Sequence, residues 1–477
     1  MHNLFAEPSD VYPNRRTFLR TSGMGFGLLA LADLIGATEL NPLAPRDPHF
    51  KAKAKSVIWL FMNGGPSHVD TWDYKPELVK RHGQVLKGFD NTTGFFANAV
   101  GPLMKSPFKF QKHGQSGLWA SSLFPKMTKH IDKMAFLHSC WSDSNNHSPA
   151  LFKINTGMSR MGFPCVGAWV TYGLGSASQN LPAFITMYDT KGRGIPKGHA
   201  QNWGSGFLPG VYQGTALKPQ GAPIDNLTRD RQMTAQQQRA QLDLLSQLSE
   251  EHLKGHAKES ELSARIESFE LAYRMQMAAP EALDVHREPK QIQGWYGLPD
   301  KKCGHFAKQC LIARRMVERG VRFVQIYSGG MANQQSWDGH NDIIGNHGGF
   351  ARETDQPIAA LLTDLEQRGL LDETLIIWGG EFGRLPLTQK DKKPGRAHNP
   401  HAFTYWLAGG GVKGGVSHGA TDEIGLRAVE DRVSINDLHA TILHLMGLNH
   451  EKLTYRHSGR DFRLTDVAGR VVRSVLA

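Results

Sequence analysis

Acidic, imidazole and guanidinium side chains recur in three loops of the sequence, and each loop borders a short apolar segment. In chain order these side chains are Asp338, His340, His347, Glu381, Arg384 and His398. Divalent cations bind neutral imidazole and anionic carboxylate together, so this combination predicts a metal site. Open α/β sheets bind their ligands beyond the carboxyl ends of the strands. We therefore expect the three loops to converge at one edge of a sheet.

The apolar segments beside these loops have the length and composition of buried strands. Segments of this kind occur at residues 57–62, 134–137, 184–187, 321–327, 374–378 and 403–408. Two segments with helical spacing, 305–319 and 355–368, lie between them and each precedes a glycine, as helix ends commonly do. The alternation predicts an α/β domain in which helices cover both faces of a parallel or mixed sheet.

One internal region differs from the rest in composition. Residues 226–281 are rich in Gln, Glu, Lys, Arg, Leu and Ala, and their leucines recur at helical spacing. This pattern predicts a helical insertion of one or two long amphipathic helices packed against the body of the domain. A structural brace is favoured over a functional lid.

The N-terminal residues have the pattern of a twin-arginine export signal. Residues 14–20 (NRRTFLR) carry two consecutive arginines, a Phe-Leu pair and a further base, and the apolar run 23–37 follows them. We therefore assign residues 1–40 to a signal peptide and expect a periplasmic or other extracytoplasmic protein. The run is too short and too rich in glycine to cross a bilayer, and no later segment reaches the roughly 20 apolar residues that a span requires. The mature chain is expected to have no transmembrane span.

The remaining sequence is interpreted as a linker followed by one large domain. Residues 41–55 are rich in Pro and Lys and are predicted to be the linker, so the domain occupies residues 56–477. The formal net charge is +11, but the basic residues are spread along the chain instead of forming a dense stripe. We therefore expect a mild preference for anionic partners and no binding of nucleic acid.

Three stretches of the sequence resemble one bacterial family. Residues 63–71 (NGGPSHVDT), 378–384 (WGGEFGR) and 403–415 (FTYWLAGGGVKGG) are similar to the family known as domain of unknown function 1501, and the resemblance extends over nearly the whole chain. That family in turn resembles the alkaline phosphatase and sulfatase superfamily. The resemblance implies an alkaline-phosphatase-like fold, with a mixed, mostly parallel sheet sandwiched by helices.

The resemblance also places a residue at the nucleophile position. In the superfamily the nucleophile opens a helix that ends in Thr-Gly, and residues 147–157 (HSPALFKINTG) have the same register. His147 then stands where active phosphatases and sulfatases have Ser, Thr or a modified Cys. It could be a nucleophile, a metal ligand or a general acid/base, and the last two roles are favoured. Ser148 is an alternative nucleophile, one residue out of register.

The metal ligands implied by the resemblance are Asp338, His340, Glu381 and His398. Two positions depart from the superfamily pattern. Asn63 stands where a metal-binding Asp is expected, and Phe382 replaces the His of an Asp-His pair. One metal position is therefore expected to be weakened or rebuilt. Asp70 or His68, from the loop that contains Asn63, could substitute there, with His68 also a candidate for binding substrate.

These features predict an exported, metal-dependent hydrolase of sulfate or phosphate esters, with a small molecule or a polysaccharide as the anionic substrate. One or two divalent ions (zinc, calcium or manganese) would be bound, and Lys153 or Arg384 would bind the anion. The altered nucleophile position leaves a second hypothesis open. In that hypothesis a non-catalytic periplasmic protein keeps the cavity to bind an anionic glycan or a protein partner. A phosphotransferase is disfavoured because such substrates are mainly cytoplasmic.

Overall fold

The computed structural model describes residues 41–89, 100–218, 224, 233–255, 260–389 and 393–477. The predicted signal peptide at 1–40 lies outside these residues. The segment predicted to be a linker lies along the domain. The backbone N–H groups of Lys53 and Ala54 both donate to the Leu445 carbonyl at 2.9 Å, and Ala54 is fully buried.

The strands of the described residues are numbered in chain order. They are β1 (Ser56–Met62), β2 (Val100–Leu103), β3 (Phe110–His113), β4 (Leu118–Ser121), β5 (Met134–Trp141), β6 (Phe184–Met187), β7 (Thr215–Leu217), β8 (Phe323–Ser328), β9 (Thr374–Gly379), β10 (Gly383–Arg384), β11 (Leu387–Gln389), β12 (His398–Asn399), β13 (Phe403–Ala408), β14 (Val416–His418), β15 (Ala420–Thr421), β16 (Ala428–Glu430), β17 (Val433–Ser434), β18 (Tyr455–His457) and β19 (Arg460–Phe462).

Within the described residues, nine strands form the central sheet. Their order is β14-β5-β13-β9-β1-β8-β6-β7, and β17 also pairs with β5. β13 is antiparallel to both of its neighbours, whereas the other pairings of this sheet are parallel. The predicted fold class, a mixed and mostly parallel sheet, is therefore confirmed, and each of the six predicted strands is present.

The α-helices of the described residues are likewise numbered in chain order. They are α1 (His68–Thr71), α2 (Pro76–Lys80), α3 (His147–Thr156), α4 (Val166–Leu174), α5 (Ala235–Gly255), α6 (Ser260–Leu283), α7 (Lys290–Tyr296), α8 (Gly304–Glu318), α9 (Ile343–Gln367) and α10 (Ile435–Leu445). In the described part of the chain, none of these helices is both long enough and apolar enough to cross a membrane.

Both faces of the central sheet are covered, as the continuous apolar sequence of β1 requires. Every residue of β1 is buried, and successive side chains of a strand point to opposite faces. Val57, Trp59 and Phe61 pack in the core that contains α3, α4 and α10. Ile58 and Leu60 pack in the other core, which contains α8 and α9. The parallel strands are thereby fixed between two helical layers, and their carboxyl ends share one edge.

The predicted helical insertion forms α5 and α6, and among the side chains described in these two helices the buried ones belong to α6. Met275, Ala279 and Ala282 of α6 are buried in the core on the α8 and α9 side. α5 has no buried side chain among its described residues, and Leu245 and Leu248 are 45% and 59% exposed. The expectation that the leucines of this region pack on the domain is therefore wrong for Leu245 and Leu248.

His439 in α10 gives the folded state a pH-dependent stability. Its Nε2–H donates to the Ile154 carbonyl of α3 at 2.8 Å, and complete burial lowers its pKa from 6.5 to about 4. As the pH falls from 6.5 to about 4, the unfolded chain takes up a proton at His439 that the folded chain does not accept, so the folded state loses stability.

The free energy of unfolding should decrease between about pH 7.5 and about pH 4.5 in both proteins. This decrease should be about 2–3 kcal/mol smaller in His439→Gln than in the wild type, because the variant lacks the imidazole. Urea denaturation at the two pH values measures this difference. Equal losses in the two proteins would exclude His439 as a source of the pH dependence.

Candidate functional site

The carboxyl ends of β1, β5, β8 and β9 meet at one edge of the central sheet, and the loops beyond them hold the predicted chemistry. The side chains that the structure brings together there are His147, Asp338, His340, Glu381, Arg384 and His398. Asp338 and His340 follow β8, whereas Glu381 follows β9. His147 begins α3, which follows β5. Their convergence is the one expected from parallel strands.

Three histidines surround Asp338. Each directs Nε2 at the Asp338 carboxylate and Nδ1 away from it, toward another oxygen. The Nε2 atoms of His147, His340 and His398 lie 3.1, 3.0 and 3.1 Å from the carboxylate oxygens. The Nε2 atoms of His340 and His398 lie 2.9 Å apart.

The outer contacts of His340 and His398 favour the tautomer with the proton on Nδ1. The Nδ1–H of His398 donates to the Asn145 carbonyl at 2.7 Å, and that of His340 donates to Gln389 Oε1 at 2.8 Å. Burial lowers the pKa of His398 well below its usual value. A neutral imidazole carries a single N–H. With Nδ1 engaged in this way, a neutral ring directs the lone pair of its Nε2 inward, toward the carboxylate and the other ring.

His147 makes the corresponding contacts with Glu381. Its Nδ1 lies 2.6 Å from Glu381 Oε1, and the Gly64 backbone N–H donates to the same carboxylate at 3.0 Å. Burial alone lowers the pKa of His147, but Asp338 and Glu381 outweigh burial and leave the pKa raised. His147 Nε2 and Asp338 Oδ2 lie 3.1 Å apart as an ion pair, and among the described residues neither atom has a further hydrogen-bond partner.

Arg384 neutralises the buried Asp338 carboxylate. The guanidinium Nη2 lies 2.6 Å from Asp338 Oδ1. Nε donates to the Gly65 carbonyl at 2.9 Å and Nη1 donates to the Arg396 carbonyl at 3.2 Å. Burial raises the pKa of Asp338, but Arg384 and the histidines outweigh burial and hold the pKa far below its usual range. Arg384 is fully buried and does not line the cavity, so it supports Asp338 instead of reaching a substrate.

The loop after β1 supports the cluster through its backbone. Gly64 has φ +104°, and a Cβ there would lie 2.6 Å from the Asp338 nitrogen and the Ser336 hydroxyl. Glycine is therefore required at this contact. The buried Asn63 side chain donates to the carbonyls of Gly329 and Gly330. The Asn63 side chain thus binds the adjacent loop, and it does not line the cavity described below.

Three further candidates lie beside the cluster and have partners of their own. Asp70 accepts from Ser67 and forms a fully buried ion pair with Arg396. His347 Nε2 accepts from the Ser67 backbone N–H at 2.9 Å, and burial lowers the pKa of this imidazole to about 3. His68 Nε2 lies 2.8 Å from the Gly425 carbonyl. None of the three side chains lines the cavity.

His347 also differs from expectation in its secondary structure. It was expected in a glycine-rich loop, but it lies in the first turns of α9, which begins at Ile343. Asp342 caps this helix by accepting from the Gly345 N–H at 3.1 Å. Three glycines near the start of α9 concealed the helix, because glycine disfavours helices.

The two remaining candidates lie along α3. Ser148, the second residue of the helix, is half-buried and does not line the cavity. Lys153 lies near the opposite end of α3, and its Nζ is 3.9 Å from Asp143.

A cavity of about 100 Å³ opens onto the cluster. Its lining residues are Asn146, His147, Lys197, Asn333, Asp338, His340 and His398. Sequence reasoning did not identify Asn146, Lys197 or Asn333. The available signal was positional, since Lys197 lies in the loop that follows β6 and β6 is parallel to β8. No motif marked this lysine among the other basic residues of the chain.

Asn63→Asp tests the role of the Asn63 amide. The substitution would place a buried carboxylate against two carbonyl oxygens. We expect the free energy of unfolding to fall by about 2–4 kcal/mol, without a gain in bound metal. Urea denaturation and elemental analysis measure the two effects. Asn180→Asp is the control, because it introduces the same charge at an exposed position. Increased metal content with unchanged stability would instead show that residue 63 is a ligand position.

The fold and the site define an α/β protein with a candidate metal centre at the carboxyl edge of its sheet. Three residues of this centre, His147, Asp338 and His398, each offer a ligand atom within 4.8 Å of the others. The model of a family described as "protein of unknown function (DUF1501)" matches residues 54–476. The chain belongs to this family, as its sequence resemblance predicted.

Several solved structures are similar to this chain at low sequence identity. The lipoteichoic acid synthase LtaP from Listeria monocytogenes is 6% identical, with 90% of this chain and 79% of that chain covered and a TM-score of 0.35. The phosphonate monoester hydrolase SpPMH from Silicibacter pomeroyi is 11% identical, with 89% of this chain and 76% of that chain covered and a TM-score of 0.34. Alkaline phosphatase from the Antarctic bacterium TAB5 is 9% identical, with 83% of this chain and 99% of that chain covered and a TM-score of 0.32. No curated protein matches the sequence.

Proposed function

We propose that the protein is a metal-dependent hydrolase of sulfate or phosphate esters, with a divalent cation bound by Asp338, His340 and His398. The observation that carries this proposal is the crowding of three acceptor atoms. Two imidazole Nε2 atoms and one carboxylate oxygen lie within 3.1 Å of one another. A single proton can bridge only one of these contacts, whereas a cation can bind all three atoms.

The surroundings of the ligands support a metal site. Histidines that bind metals usually donate their outer ring N–H to a carboxylate or a carbonyl, which fixes the tautomer and the ring orientation. His340 and His398 both have this arrangement. Two nitrogen donors and one oxygen donor favour zinc or manganese over calcium, which takes oxygen ligands. We propose a single ion, because the Asn63 amide faces carbonyl oxygens and the nearby Asp70 is paired with Arg396.

A cation bound there would supply Lewis acidity to an ester oxygen and would lower the pKa of water. The chain itself supplies the orientation of the site. Arg384 holds Asp338, and Glu381 holds the His147 ring with Nε2 facing the cavity. Asn146 caps α3 at the mouth of the cavity, and the N-terminus of a helix favours anions. The register of residues 147–157 supports the choice of sulfate or phosphate esters as substrates.

The location of the reaction follows from the sequence alone. The twin-arginine pattern at residues 14–20 supports export of the folded protein, with its metal already bound, to the periplasm. Small anionic esters and sulfated or phosphorylated polysaccharides are both candidate substrates there.

The arrangement of His147 favours one alternative function, that of a non-catalytic binding protein. With His147 Nε2 as a fourth ligand the cation would have four protein ligands, and four-ligand sites are commonly structural. Such a protein would bind an anionic glycan or a protein partner without turnover. Its affinity, but no reaction, would depend on His147.

Metal content tests the proposed centre. Protein purified from the periplasm should contain about one equivalent of a divalent metal, and His340→Ala with His398→Ala should lose it, because only Asp338 remains of the three ligands. Elemental mass spectrometry gives the stoichiometry. His450→Ala is the control, because it removes a half-buried histidine outside the cavity. Absence of metal from the wild type, even after incubation with zinc or manganese, would refute the proposal.

The roles of residues 147 and 148 can be separated by turnover. We expect His147→Asn to retain most of the metal, because the three proposed ligands remain, and to lose hydrolysis of a sulfate or phosphate ester by at least about 100-fold. Ser148→Ala should change the rate little, because this hydroxyl does not line the cavity. Loss of the metal from His147→Asn, with no turnover by the wild type, would favour the binding protein. Loss of activity in Ser148→Ala alone would identify a serine nucleophile.

A further inference from the structure

The cavity above the metal centre is small and entirely polar in its residue types. Its volume is about 100 Å³, which is on the order of several water molecules. Each lining residue is an Asn, His, Lys or Asp. The cavity therefore has room for an anionic head group such as sulfate or phosphate, whereas the alcohol part of an ester would remain outside it.

Lys197 is the only lysine or arginine among the described residues that line this cavity. It is half-buried and follows the buried Pro196. Its backbone carbonyl accepts from the Asn202 amide at 2.9 Å, and its Nζ donates to Asn333 Oδ1 at 3.3 Å. The first contact fixes the backbone at Lys197, and the second holds the side chain at the mouth of the cavity. Asn333 is neutral and leaves the lysine charge uncompensated.

The neighbouring bases of the same loop are neutralised, whereas Lys197 is not. Lys191 Nζ lies 2.7 Å from Glu353, and Arg193 pairs with Asp189 and Glu353. In the part of the chain that the structure describes, no carboxylate forms an ion pair with Lys197. A half-buried cation beside a polar cavity is stabilised by an anion that enters the cavity.

We propose that Lys197 binds the anionic group of the substrate at the mouth of the cavity. This inference rests on the proposed function, for which it supplies the anion-binding residue. In this proposal Lys197 takes the anion-binding role that the sequence predicted for Lys153 or Arg384. Arg384 is fully buried against backbone carbonyls and Asp338. Lys153 lies near the far end of α3, beside Asp143.

The experiment is calorimetric titration of inorganic phosphate, and separately of sulfate, into the full-length, metal-loaded protein. Lys197→Ala should weaken the binding of at least one anion by about tenfold to a hundredfold, because one charge-assisted hydrogen bond is lost. Lys197→Arg should restore part of the affinity, since it restores the charge. Lys191→Ala, which removes a paired lysine of the same loop, should bind as the wild type does. Metal content and melting temperature should be equal in all four proteins.

Wild-type affinity in Lys197→Ala would overturn the proposal, and so would failure of the metal-loaded wild type to bind either anion. An equal loss of affinity in Lys191→Ala would also overturn it, because the effect would then come from the general charge of the loop. None of these results removes the metal centre, whose occupancy is measured separately. Absence of bound metal from the wild type would instead refute the proposed hydrolase.

Discussion

The buried ion pair between Asp338 and Arg384 is the interaction on which the site depends. A carboxylate that is almost completely excluded from water is stable only with a partner. Arg384 supplies the charge, and its other N–H groups bind carbonyls from the loop after β1 and from Arg396. Removing either partner would leave an unpaired buried charge, and removing Arg384 would also break its contacts with two loops. The pair therefore joins the chemistry of the site to its scaffold.

The remaining side chains of the site are oriented from outside the cluster. Glu381, Gln389 and the Asn145 carbonyl each engage the Nδ1 atom of one histidine. All three Nε2 atoms consequently face Asp338. The resemblance to phosphatases and sulfatases implies a metal ligand at position 63 and a nucleophile at position 147. In this chain Asn63 binds backbone carbonyls, and the His147 ring lies between two carboxylates. The two departures together support the single-ion site that we propose.

The sequence predicted the sheet and the convergence of the main site residues, for a physical reason. Continuous apolar runs such as that of β1 are visible because both faces of the strand are buried. Parallel strands also place their following loops at one edge, so Asp338 and Glu381 could be grouped without knowledge of the topology. His398 lies at the same edge because it precedes β13, which is antiparallel to its neighbours. Neither the partners of Asp70 and His347 nor the position of Lys197 could be predicted, because these depend on contacts between segments far apart in the chain. The exposure of α5 was missed because its leucines have the spacing of a packed helix.

Diffraction from crystals grown with zinc chloride, measured on both sides of the zinc absorption edge, locates the cation directly. We predict one anomalous peak about 2.0–2.2 Å from the Nε2 atoms of His340 and His398 and from an oxygen of Asp338. A map with no peak at this position, and the two imidazoles still in direct contact, would contradict a metal centre.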